Sequence, residues 1–389
     1  QIEQADGQLV GTNLFQSFES FGLATGEAAD FNGSNGILNI LARVTGGTRS
    51  DIDGTLRSNI PNANLFVVNP AGIFFGPNAS LDVTGAFTAT TANQINLSDS
   101  ETFEAVVGDL TLSSAPVASF GFTQATPSSI QVNGTSLELG SNQTLSLIGG
   151  AVELTSTSFI STKGGAINII AGGSPGTAIV DVANPLSPVD SSGFAAMGPI
   201  TIDSSTIDSN DSPLTATSGR IVIQGGELTM PHGRIFSETV SGDGGGIEIA
   251  VGGTMNLTSG AQIIGGTRGS GTGGAITIDA GDLIVKGEGV ASSEIVNRTQ
   301  GTGSGGAVTI RAESVSLSGT PGFSSGRIVA DTTFGGGNAG SITIEATTLN
   351  AFNSGFVLSD SKGTGNAGNI VLNVANVNLS NGCEYHRIQ

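Results

Sequence analysis

Apolar and polar residues alternate along this chain in short runs, and the runs recur. In the C-terminal part the units read GGGIEIAVGGTMNLTSGAQIIGG, GGAITIDAGDLIVKGEGVASSEIVNR, GGAVTIRAESVSLSGTPGFSSGRIVA, AGSITIEATTLNAFNSGFVLSD and AGNIVLNVANVNLS. Each coil opens on an apolar–x–apolar pair: Ile221/Ile223, Ile247/Ile249, Ile276/Ile278, Val308/Ile310, Ile342/Ile344 and Ile370/Leu372. A second pair starts seven or eight residues later: Leu228/Met230, Met255/Leu257, Leu283/Val285, Val315/Leu317, Leu349/Ala351 and Val377/Leu379. A third, shorter run carries Ile235, Ile263, Ile295, Ile328 and Val357, and a Gly-rich corner follows. Period-two alternation buries one face of a strand and wets the other. The pattern therefore predicts three short strands per coil, with a period of 26 to 34 residues. One unit cannot bury its own apolar face, but a stack of units can. Glycine and asparagine at the corners supply positive φ. Parallel crossovers are right-handed by default. The fold class expected is all-β, a right-handed parallel β-helix with an N-terminal cap and small extra-helical β elements. Roughly a dozen coils would extend on the order of 60 Å at one inter-strand spacing each.

Earlier coils are less regular but readable at GGAINII (164–170), GPITID (198–203) and GRIVIQ (219–224). The expected shaft spans residues 126–380 in coils of 20 to 34 residues, with 381–389 as a polar tail. Ser174 to Phe194 breaks the pattern and reads as a loop or a short extra-helical hairpin. Residues 1–125 differ in texture, holding 11 of the 18 Phe residues. An open β-helix end leaves strand groups unpaired, so something must cover it. The run NLFQSFESF, with Phe15, Phe18 and Phe21, is expected to cap it, since a few large rings bury much area.

Composition narrows the functions. The net charge is −19 with only 13 Lys+Arg, which sets the surface against nucleic acid and anionic membrane. No apolar run approaches a membrane span. The opening QIEQADGQ shows no signal peptide, as in a processed mature chain and equally in a cytosolic one. The single cysteine, Cys383, excludes an internal disulfide.

The competing class is an enzyme, because parallel β-helices that cleave acidic polysaccharides are built on paired carboxylates. No Asp-Asp pair occurs in the chain. His232-Gly233-Arg234 stands alone and reads as an exposed corner. Asp51-Ile52-Asp53-Gly54 resembles the start of a calcium loop but lacks the third ligand and the distal Glu. Cys383 and His386 are two ligands where a metal site needs more. The Gly-rich corners do not lead from strand to helix, so they are not phosphate loops. The expectation is no catalysis, no cofactor and no metal, with a polysaccharide-binding or polysaccharide-cleaving β-helix as the alternative.

One resemblance is specific. The runs TNLFQSFESF, FNGSNGILNILARVTGG, SDIDGTLRS and NANLFVVNPAGIFFGPNASLDVTGAFTATTA occur in that order across roughly residues 5 to 125. They closely resemble the secretion domain of two-partner secretion exoproteins, the filamentous haemagglutinin N-terminal domain. The resemblance implies a chain that crosses the periplasm unfolded, is read by periplasmic domains of an outer-membrane β-barrel transporter, and folds at the cell surface. The family's Asn-Pro-Asn-Gly-Ile motif matches Asn69-Pro70-Ala71-Gly72-Ile73, with Ala71 in place of the second Asn. The earlier Asn-Pro-Asn-Leu motif has no clean match; FNGSN lies nearby, and Asn39 follows in the same run. Asn69, Pro70, Gly72, Ile73 and Asn39 are thus the residues expected in transporter recognition or folding nucleation. Read without the resemblance, NPAGIFFGPNAS is a turn, a buried strand and a second turn. The implied role is an adhesive, haemagglutinin-like surface protein whose target is a host or neighbour-cell glycan or protein. The short stretch after Leu379 is what a truncated exoprotein or a short family member would show, and an uncapped end would favour end-to-end association.

Overall fold

The structure is a computed structural model that describes residues 1–105, 111–182, 184, 186–210 and 217–381, and the backbone of 384–388. Chain contacts divide it into two compact units, Gln1–Ile200 with Gln224–Gly226, and Thr201–Ile223 with Glu227–Gln389. Among the described residues the only helical element is a three-residue turn, Gln4–Asp6; the rest of the regular structure is strand.

In the first unit the strands Asn13–Phe18, Asn39–Val44, Asn64–Val68, Phe87–Thr90, Leu145–Gly149 and Ile167–Ala171 stack in parallel. Their register places Leu14, Ile40, Leu65, Phe87, Leu145 and Ile167 in one row. Every member of that row is fully buried. A second column stacks Ser50–Ile52, Ile73–Phe75, Ser129–Asn133 and Ala151–Thr155. A third begins with Ala28–Phe31, Thr55–Ser58 and Ser80–Asp82. These are the coils of a parallel β-helix.

Runs such as NLFVV and INIIA are apolar without alternation, and both strands are buried on both faces. The outer face is covered by a four-stranded antiparallel sheet in the order Thr102–Glu104, Gln94–Leu97, Val117–Phe122, Gly176–Ala178. Phe103, Phe120, Phe122 and Phe194 pack there against Phe15, Leu41, Phe66 and Ile170. Large rings bury much area per residue, which explains why phenylalanine concentrates in this part of the chain. Part of the 174–194 segment belongs to this cover: Gly176–Ala178 joins the sheet and Ile179 forms a single antiparallel bridge with Asp190.

The first coil is flanked by Gln8–Val10, which pairs antiparallel with Asn13–Phe18. Phe18 and Phe21 lie 5.0 Å apart, and Phe21 lies 6.4 Å from Phe31. Phe15 points to the opposite face and meets Phe103 at 4.9 Å. Strand alternation imposes that split, since Phe15 and Phe18 are an odd number of residues apart.

In the second unit the apolar rows stack as the repeat predicts. Ile247, Ile276, Val308, Ile342 and Ile370 share one row. Met255, Leu283, Val315, Leu349 and Val377 share another, and Ile235, Ile263, Ile295, Ile328 and Val357 a third. The strand count is a correction. In the coil that opens at Ile221 the three strands are separate, Ile221–Gly225, Glu227–Pro231 and Arg234–Thr239, but in the five coils after it the first two predicted strands are one long strand: Ile247–Thr258, Ile276–Lys286, Val308–Ser318, Ile342–Phe352 and Ile370–Ser380. The ladder keeps its register across the corner between Ala280 and Asp282 and again between Ala312 and Ser314, and shifts there only in the first of these strands, between Val251 and Thr254. Two strands per coil result in these later coils, the second being Gln262–Thr267, Ser293–Thr299, Gly326–Thr332 or Phe356–Ser361. Where a polar tail is expected, Glu384–Ile388 runs parallel to Phe356–Asp360. Cys383 and the side chain of His386 lie outside the described residues.

Candidate functional site

The turn NPAG joins Asn64–Val68 to Ile73–Phe75. Proline at its second position fixes φ, and the Gly72 N–H donates to the Asn69 carbonyl at 3.0 Å, closing a β-turn. Gly72 has φ +111°, a conformation that disfavours any side chain. Asn69 is fully buried. Its Nδ2 donates to the Thr48 carbonyl and to Ser50 Oγ, both at 2.9 Å, and its Oδ1 accepts from the Ala71 N–H at 2.9 Å. One amide therefore ties the turn to the preceding coil. The following coil is tied in by Ser128, whose Oγ donates to the Pro70 carbonyl at 2.7 Å. Ile73 is fully buried, paired with Ser50 on one side and Ile130 on the other. Pro70 and Ala71 are half-buried.

Asn39 belongs to a different constellation. Its Nδ2 donates to Asn13 Oδ1 at 2.8 Å, and its Oδ1 accepts from Asn64 Nδ2 at 2.9 Å. Asn13 Nδ2 donates onward to the carbonyls of Ser113 and Ala115, at 3.0 and 2.8 Å. At the other end Asn64 Oδ1 accepts from the Ala86 N–H at 3.0 Å. The amide chain runs from the first coil to the fourth and anchors the segment leading into the covering sheet. Aligned amides polarise one another and fix register. Asn39 and Asn69 do not meet; they act at separate corners of the same coils. Asn13 and Asn64 escaped the sequence reading, although NLF, NIL and NLF open three successive coils with the same residue.

The covering sheet also buries a cation. Arg43 is 7% exposed, with Nε donating to Ser17 Oγ at 2.6 Å and Nη1 to the Glu104 carbonyl at 2.5 Å. Its guanidinium carbon lies 4.7 Å from the Phe103 ring centre. Burial lowers its pKa from the ordinary arginine value, partly offset by Glu104.

The other sequence candidates are engaged as structural residues. Asp51 pairs with Arg49 at 2.7 Å, and Asp53 accepts from the Asn78 N–H at 2.9 Å. Hydrogen bonds from Thr25 and then Asn78 hold the Asp53 carboxyl below its ordinary range. His232 sits at positive φ in a corner. Among the described residues no three His, Cys, Asp or Glu side chains are grouped to hold a metal, and no helix is long and apolar enough to cross a membrane.

Comparison with known proteins gives a family. No curated protein sequence matches the chain. The HMW1 secretion domain from Haemophilus influenzae shares the fold at a TM-score of 0.59 and 17% identity, over 96% of this chain and 96% of that one. The profile of the TPS secretion domain matches residues 1–223, more than half the chain and all of the asparagine constellations described above. The chain belongs to the TPS secretion domain family, the domain of two-partner secretion exoproteins.

Proposed function

We propose that residues 1–125 are the address of a secreted exoprotein, read by periplasmic domains of an outer-membrane transporter while the chain is unfolded. The shaft then serves as an adhesive surface. The observation that carries the first part is burial. Asn69 and Ile73 are fully buried, and Gly72 closes a turn packed against Arg49 and Ser129. No partner can touch the Asn69 and Ile73 side chains once the coils have formed. A recognition role for this motif therefore belongs to the unfolded chain, and its folded role is to lock neighbouring coils together. The two roles follow one another: release from the transporter frees Asn69 to find Thr48 and Ser50.

The acidic surface supports transit without adherence to nucleic acid or anionic lipid. Support for adhesion comes from loop tips of the second unit. Val290 is 81% exposed and Phe323 70% exposed, on loops that follow the paired strands Ile276–Lys286 and Val308–Ser318. Exposed apolar side chains on stacked loops suit contact with a protein or with the apolar faces of a glycan.

Secretion tests the first part. The full chain would be expressed behind a signal peptide with and without a cognate transporter. Comparison chains would lack residues 1–125 or carry Asn69→Ala. Transporter-dependent release that disappears with the deletion is expected. Equal release without the transporter would overturn the reading.

A further inference from the structure

We propose that Asn35 is a site of spontaneous covalent modification, at which the side-chain amide is lost and aspartate or isoaspartate takes its place. The only co-reactant is water. The Gly36 backbone nitrogen gives up its proton and attacks Cγ of Asn35. The new C–N bond closes a five-membered succinimide, and the side-chain nitrogen leaves as ammonia. Water then opens the ring at either carbonyl. One opening gives aspartate; the other gives isoaspartate, in which the main chain runs through the former side chain. A following glycine favours ring closure because it has no Cβ and the least restricted backbone.

Four Asn-Gly pairs occur in the chain: Asn32-Gly33, Asn35-Gly36, Asn133-Gly134 and Asn381-Gly382. The fold separates them. Asn32 is held at both ends of its amide, Oδ1 accepting from Asn59 Nδ2 at 2.8 Å and Nδ2 donating to Glu3 Oε1 at 3.1 Å. Its neighbour Gly33 is packed, since a Cβ there would stand 2.7 Å from Ile37. Asn133 Nδ2 donates to Thr155 Oγ1 at 3.0 Å. The Gly134 N–H, which would have to attack, donates to the Thr155 carbonyl at 3.1 Å and to Ser158 Oγ at 2.9 Å. Gly382 lies outside the described residues.

Asn35 and Gly36 are both exposed, in the middle of a β-turn that the Ile37 N–H closes on the Ser34 carbonyl at 3.2 Å. Among the described residues neither the Asn35 amide nor the Gly36 N–H has a hydrogen-bond partner. Nothing lies within 4 Å of the place a Cβ on Gly36 would take, so the ring has room to form. Each conversion adds a negative charge at neutral pH. Isoaspartate also lengthens the backbone of the turn that delivers Ile37, which is fully buried, to the core.

The test holds the folded full chain at physiological temperature and mildly alkaline pH and maps it over time by mass spectrometry. Fragmentation places the amide-to-acid mass gain and distinguishes isoaspartate. Asn35 should convert first, with Asn32 and Asn133 at least roughly tenfold slower, because they react only when their hydrogen bonds open. In urea that difference should disappear. Gly36→Ala should slow Asn35 by roughly tenfold at an unchanged unfolding midpoint, since the added Cβ obstructs the ring and meets nothing in the fold. If that variant proves unstable, the folded-against-urea comparison carries the test. The proposal is overturned by absence of a mass gain at Asn35, by Asn32 or Asn133 converting as fast in the folded chain, or by a folded Gly36→Ala converting at the wild-type rate.

Discussion

Asn69→Ala is the perturbation whose consequence the structure fixes best. The substitution removes three side-chain hydrogen bonds, to the Thr48 carbonyl, Ser50 Oγ and the Ala71 N–H. A typical net contribution is about 1 kcal/mol each, and more where a buried partner is left unsatisfied. Thr48 is exposed and its carbonyl can turn to water, whereas Ser50 is fully buried and cannot. The expected loss is therefore about 2–4 kcal/mol, a large part of the ~5–15 kcal/mol that holds a typical domain folded. The chain has no Trp and 1 Tyr, so unfolding in urea is followed by far-ultraviolet circular dichroism. With a slope of about 2 kcal/mol per molar, the midpoint of the first unit should fall by roughly 1–2 M at unchanged slope. Asn78→Ala is the comparison: another turn asparagine with hydrogen bonds to Asp53, but exposed, so the expected shift is under about 0.5 kcal/mol. A midpoint for Asn69→Ala within about 0.3 M of wild type would refute the claim that this amide locks the coils.

Three further outcomes follow from the same coordinates. Asn39→Ala interrupts the amide chain between Asn13 and Asn64 and should cost about 2–3 kcal/mol in the same assay, while Asn350→Ala, in an exposed pair with Asn378, should cost a few tenths. Gly303→Ala would place a Cβ 1.9 Å from the Gly271 carbonyl oxygen in the stacked corner, so a loss above about 2 kcal/mol is expected; Gly36→Ala meets nothing within 4 Å and should be near neutral. Asp208 has its pKa raised chiefly by burial and further by Glu238, against the pull of the Asn210 N–H and Arg268. A raised carboxyl pKa means that the folded state holds its proton more tightly, so ionisation destabilises the fold as pH rises. Asp208→Asn keeps an acceptor for the Asn210 N–H, and it should raise the unfolding midpoint at about pH 7 and lose that advantage below the unfolded carboxyl pKa of about 3.9.

The shaft was legible because each coil repeats the same alternation. Ile247, Ile276, Val308 and Ile342 occupy equivalent places in their units, and stacking puts equivalent places in contact. The corner between the first two runs of the five later coils was not legible as continuous strand. An interruption of alternation looks the same whether the ladder breaks or bends, and Glu313 and Thr347 at the bends carry no turn signature. The covering sheet lay hidden for another reason. Phe103, Phe120 and Phe122 look like any apolar strand residues, and only tertiary packing distinguishes a row facing the helix interior from one facing a second layer. For the site, the NPAG turn was readable from its residues, whereas its partners Thr48 and Ser50 lie a coil away and leave no local mark. Arg43 reads as a solvated cation in NILARV; its burial comes from Phe103, sixty residues further along the chain.

The central claim is that the motif is read before it is buried. The most direct measurement is binding of a cognate transporter's purified periplasmic domains to the full chain as it refolds after dilution from urea. Binding should be strongest at the first time point, fall in step with the gain of circular dichroism, and be absent from the fully folded chain. Undiminished binding to the folded chain, in which Asn69 and Ile73 are inaccessible, would contradict it.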